Sequence, residues 1–173
     1  MPVTWGRGPR DPDSVFPPAE EGAKRDAMPN RRRNPYFRRI LVGYDGSPQA
    51  NKAVELAFSV AQSTDCRVLI FAVASPPKPA TMVELRAVLD QAQEQFQKEF
   101  ARISKDAEQL EVNLETAIAV GSPVEQIVHR TQTEHTDLII LGHRARPWLA
   151  RIALKSLPEE LLRHARCPVL LVP

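Results

Sequence analysis

Glycine is scarce in this chain: there are seven in 173 residues, and only Gly43, Gly46, Gly121 and Gly142 lie beyond residue 35. So few leave little room for a loop that wraps its backbone around a phosphate. No GxxxxGK[ST] segment occurs, and "GYDGS" lacks the paired glycines of an SGGxDS loop. Cysteine is rarer still. Cys66 and Cys167 stand far apart with no CxxC spacing, so neither a zinc site nor a disulfide framework is indicated. Both are expected as buried or half-buried thiols. No run of about 18 apolar residues exists to span a membrane, and "MPVTWGRGPRDPDS" has no apolar core of a signal peptide, so a cytoplasmic protein is expected. Also missing are GxSxG and HExxH. His129, His135 and His164 fall on predicted helices or their ends, with no acid and nucleophile at a recognisable spacing. No catalytic residue is assigned, and at most a slow ATP hydrolysis would accompany nucleotide binding.

Charge of one sign is absent as well. The formal net charge is +2; residues 1–35 hold seven Arg/Lys against five Asp/Glu, leaving 16 against 16 in the remainder. Neither a membrane surface nor a specific nucleic-acid partner is implied. Seven of the 16 prolines also fall in residues 1–35, where apolar residues show no period. That stretch reads as a disordered Pro/Arg-rich tail, with Met28 as a second possible start, and residues 36–173 as one domain.

What is present is regular. Ile40 to Val42 form a short apolar run closed by Gly43, and Ser47-Pro48 suit the cap and first position of a helix carrying Ala50, Ala53, Val54, Ala57, Val60 and Ala61 at helical spacing. Arg67 to Ala74 is a second continuous apolar strand. After the loop "SPPKPA", Met82, Leu85, Val88, Leu89, Ala92, Phe96, Phe100 and Ile103 mark the core face of a long helix reaching about Leu110. "VNLETAIAVG" is a third strand, and Ser122 to Glu125 has the spacing of a capping box opening a helix to about His135. "DLIILG", a helix over Leu157 to Ala165, and "PVLLV" complete five strands and four helices. Strict alternation predicts an α/β fold: a single doubly wound, five-stranded parallel sheet with helices on both faces. Ligands of such sheets sit beyond the carboxyl ends of the strands, near Gly43 to Ser47 and Gly142 to Trp148.

The segments "ILVGYDGS", "AVGSPVEQIV", "DLIILGHRA" and "LPEELLRHARCPVLLV", in this order, resemble the universal stress protein family over about residues 38 to 172. The resemblance implies strand order 3-2-1-4-5, an adenine-nucleotide-type site and a homodimer through the last strand, Pro168 to Val172. With that order Cys66 and Cys167 are expected too far apart to bridge. The implied nucleotide-binding residues are Gly43, Asp45, Val73, Gly142, His143, Arg144, Ala145, Lys155 and Ser156, with ATP or another adenine nucleotide as the ligand. In the family's binding branch the loop after the fourth strand carries three glycines. Here Gly142 keeps the first, while Ala145 and Lys155 replace the others and Ser156 keeps the hydroxyl. Glycine there lets backbone N–H groups approach phosphate without a Cβ between them. Lys155 admits two opposite readings: a block to that approach, or a charge that replaces the lost contacts. Asp45 faces the nucleoside in the family but equally suits turn chemistry. His143 is either a phosphate contact or a polar loop residue, and Ser156 with Glu159 would form a capping box with or without ligand.

Overall fold

The computed structural model describes residues 37–76, 81–143 and 157–173. Its elements run β1 (Arg39–Gly43), α1 (Pro48–Thr64), β2 (Arg67–Ala74), α2 (Met82–Gln109), β3 (Asn113–Val120), α3 (Pro123–Thr133), β4 (Leu138–Gly142), α4 (Leu157–His164) and β5 (Val169–Val172). The strands form one parallel sheet in the order β3-β2-β1-β4-β5, as the alternation and the resemblance imply.

The apolar runs of β1, β2 and β4 are continuous because both faces of these strands are covered. Ile40, Val42, Val68, Ile70 and Ile140 point into a cluster with Ala53, Ala57, Phe58, Phe96, Phe100 and Ile103 of α1 and α2. Leu41, Leu69, Phe71, Ile139 and Leu141 point the other way, against Val124, Ile127 and Leu161 of α3 and α4. Each fully buried Ile, Leu or Val here contributes on the order of 1.5–3 kcal/mol. At the amino ends of the strands, the Asp137 carboxylate accepts hydrogen bonds from the backbone N–H groups of Arg38 (2.7 Å) and Arg39 (2.9 Å), which fixes the start of β1 beside β4.

Caps set the helix ends. Ser47 Oγ accepts from Ala50 N at 3.1 Å, with Pro48 in the first turn, as expected. α2 opens on a reciprocal box between Thr81 and Glu84, which the sequence reading passed over. Ser122 departs from expectation, because its side chain makes no cap hydrogen bond to α3. The proline beside it is not the cause, since Ser47 caps α1 with Pro48 in the same place.

Met82 is a second departure. It is 80% exposed, and no residue of α2 before Ala92 is buried. At 28 residues α2 is about 42 Å long, against about 26 Å for the eight residues of β2. Its first turns extend past the sheet, and among the described residues only Leu89 before Ala92 packs against the α1/α2 core cluster. Cys66 is buried and Cys167 half-buried; both are free thiols, and burial raises the pKa of each, which keeps them protonated.

Candidate functional site

The carboxyl ends of β1, β2 and β4 bring together five of the implied residues: Gly43, Asp45, Val73, Gly142 and His143. Gly43 pairs in register with Phe71 of β2 and Leu141 of β4. Val73 is half-buried and packs into the α3/α4 cluster, next to the end of β2. His143 continues the ladder past β4, donating its N–H to Val172 O at 2.7 Å. Arg144, Ala145, Lys155 and Ser156 lie outside the described residues, as do Pro147, Trp148 and the tail.

The loop between β1 and α1 is a tight turn with every end fastened. Asp45 is exposed, and its Oδ1 accepts the Ser47 N–H at 3.0 Å. This is an Asx turn of the kind short acidic side chains form. Gly46 follows at φ 79°, a left-handed backbone that a side chain would strain. Tyr44, immediately after Gly43, points inward. Its ring is 4% exposed and packs edge-on against Phe96 at 6.0 Å between centroids. Its N–H bonds Phe71 O at 2.9 Å. The phenol oxygen lies 3.1 Å from Asn51 Oδ1 and 3.2 Å from Glu99 Oε2 and shares its single proton between them. Burial, then the Glu99 carboxylate, pushes the Tyr44 pKa up, so the phenol stays neutral.

Two glycines of this site have a packing role independent of any ligand. A Cβ on Gly142 would stand 2.5 Å from Ala50 N and equally close to the Gln49 backbone, because the first turn of α1 lies directly on the end of β4. A Cβ on Gly43 would meet Leu141 Cδ2 at 2.5 Å. Tyr44, Gly46, Asn51, Glu99 and Arg102 were not singled out in the sequence. Only Gly46 carried a signal, in the Asp-Gly turn dipeptide; Tyr44 and Asn51 reach Glu99 and Arg102 through the Tyr44–Glu99 and Arg102–Asn51 bonds, at separations of 55 and 51. Among the described residues no group of three His, Cys, Asp or Glu is placed to hold a metal. No described helix is long and apolar enough to cross a membrane.

Fold and site together define a doubly wound α/β domain whose β1–α1 loop and β4 end lie at the carboxyl edge of the sheet. The model of the universal stress protein family matches residues 36–173, and the chain belongs to that family. It is 31% identical over 141 residues to a universal stress protein of Thermus aquaticus, covering 79% of this chain and 98% of that one. With a universal stress protein of Methanocaldococcus jannaschii it shares 29% over 139 residues, 79% of this chain and 82% of the relative. The solved structure of a universal stress family protein from Burkholderia pseudomallei superposes with a TM-score of 0.65 at 23% identity, covering 81% of this chain and 98% of that one. A universal stress protein solved in complex with cAMP superposes at 0.57 with 25% identity, covering 79% and 97%.

Proposed function

We propose that this chain is a regulatory stress-response module of the cytoplasm, not an enzyme, whose adenine-nucleotide site has lost its grip on a triphosphate. The observation that carries the reading is that the glycines still present serve the fold. Gly142 admits the backbone of α1, and Gly43 accommodates Leu141. The other two positions where the family's binding branch has glycine hold Ala145 and Lys155. Each loss removes a close backbone N–H approach, and a lysine restores at most a point charge. The nucleoside half is better preserved, with Asp45 exposed at the end of β1 and the turn around it intact. A relative's complex with cAMP, which carries one phosphate, fits a site of this kind better than ATP does. Calorimetry with ATP and AMP tests the reading. Wild type binds ATP weakly or not at all, and Ala145→Gly with Lys155→Gly restores ATP affinity. Tight ATP binding that Lys155→Ala abolishes would instead make Lys155 a phosphate ligand and the protein an ATP or AMP sensor.

The same module acts as a homodimer through β5. Among the described residues this strand pairs only with β4. Leu170 on β5 is 40% exposed and Leu162 on α4 is 58% exposed. An edge strand with free N–H and C=O groups and apolar side chains beside it is a template for pairing, and a symmetric partner satisfies both copies.

A further inference from the structure

The β1–α1 loop is held at both ends by one side chain. Asn51, in the second turn of α1, accepts at Oδ1 from the Tyr44 phenol at the start of the loop (3.1 Å). Its Nδ2 donates to Ser47 O at the end of the loop (3.2 Å). The same Oδ1 accepts from Arg102 Nη2 of α2 at 2.7 Å. Arg102 in turn lies 3.5 Å from the Glu99 carboxylate, the second acceptor of the Tyr44 phenol. Tyr44, Asn51, Arg102 and Glu99 thus close a polar ring that ties the start of the loop carrying Asp45 to α1 and α2.

This ring exceeds what the fold needs. Ser47 already caps α1 through Oγ, and Tyr44 already packs against Phe96 and Phe100. An apolar side chain at position 51 with leucine's volume would serve α1 equally well, since leucine has the better helix propensity. What the amide adds is a fixed distance between Tyr44 and Ser47, and therefore a fixed placement of Asp45 and Gly46 between them. Arg102 and Glu99 add a tie to α2.

We propose that Asn51 is the positioning residue of the candidate ligand loop, holding Asp45 in the geometry that meets the nucleoside and linking that geometry to α2 through Arg102 and Glu99. The ligand half of this inference rests on the adenine-nucleotide reading of the site; the bracket itself does not. Hydrogen exchange and AMP calorimetry on the full chain test the two separately. The informative amides are Tyr44, Ser47 and Ala50, whose acceptors are Phe71 O, Asp45 Oδ1 and Ser47 Oγ. Asn51→Leu should speed their exchange about tenfold relative to the amides of β4, the size expected for loss of one or two hydrogen bonds. It should weaken AMP by a similar factor. Asn51→Asp keeps the acceptor for Tyr44 and Arg102 and loses the donor to Ser47 O, so it should spare Tyr44 and release Ser47. Should Asn51→Leu fold poorly, Tyr44→Phe opens one side of the bracket while retaining the ring, and should release Tyr44 and Ser47 by a smaller factor. A purely stabilising role would change loop and β4 exchange alike, and that result overturns the proposal. Faster loop exchange with unchanged AMP affinity overturns the positioning of the ligand. Absence of AMP binding by the wild type refutes the nucleotide reading and leaves the exchange ratio to decide the bracket.

Discussion

Replacing Gly142 by alanine separates the two roles a glycine can have at the end of β4. The added Cβ would lie 2.5 Å from Ala50 N, where ordinary van der Waals contact begins at 3.4 Å. Roughly 1 Å must therefore be gained by moving backbone against backbone. Neither side is free to move. β4 is held in register by β1 and β5, and α1 starts at a point set by the Ser47 cap and Pro48. Overpacking a well-filled interior costs about 1–3 kcal/mol, and backbone on both sides puts this case near about 3 kcal/mol. At about 2–4 °C per kcal/mol for a chain of this size, the melting midpoint should fall by roughly 6–12 °C. Gly43→Ala is the control. Its Cβ meets the end of the Leu141 side chain at 2.5 Å, and the next atom, Ile127 Cδ1, stands off at 3.8 Å. A rotamer change relieves that contact, so about 1 kcal/mol is expected. Urea denaturation followed by circular dichroism measures both, with an unchanged m-value showing that the unfolded state is the same. A Gly142→Ala protein within about 0.5 kcal/mol of wild type, or one less affected than Gly43→Ala, would mean that α1 does not lie on β4 as described. Gly142 would then have to be explained by a ligand.

Two further outcomes concern the ends of the chain. Leu171→Pro removes an N–H donor on the open side of β5, since Pro168 and Val172 turn their carbonyls to β4 and the residues between alternate, and it should convert dimers to monomers or aggregates by light scattering; a wild type that is monomeric at tens of micromolar ends the dimer proposal. Residues 1–35 combine seven prolines with mixed charge and no apolar period, so a chain beginning at Met28 should keep the melting midpoint of the full chain, and a drop of more than a few degrees contradicts the proposed domain boundary.

How far the sequence reached depends on which interactions have a local signature. β1, β2 and β4 were legible because a strand covered on both faces is apolar throughout, and α1 because its cap and first-turn proline are adjacent in the chain. Met82 was misplaced because an apolar period in a helix shows which side is apolar but not where the facing sheet stops. The pattern ran on past the point where burial ended at Ala92. Ser122 matched a capping box by spacing, yet spacing does not set a side chain's rotamer: Ser47-Pro48 caps its helix and Ser122-Pro123 does not. Asn51 had no signature at all. An asparagine inside a helix reads as a weak helix former, and its meaning comes from Arg102, 51 positions away, and from a tyrosine that had to turn inward to reach it.

The site glycines are the sharpest case, since sequence resemblance counts each retained glycine as a point in favour of nucleotide binding. Gly142 would be retained whether or not a phosphate ever approached it, because the backbone of α1 occupies the space its Cβ would need. Its presence therefore carries no weight for ligand binding. Discrimination falls to the other two positions where the resemblance implies glycine, and there the chain has Ala145 and Lys155. The proposed loss of the triphosphate grip therefore rests on those two substitutions and not on the glycine that is kept.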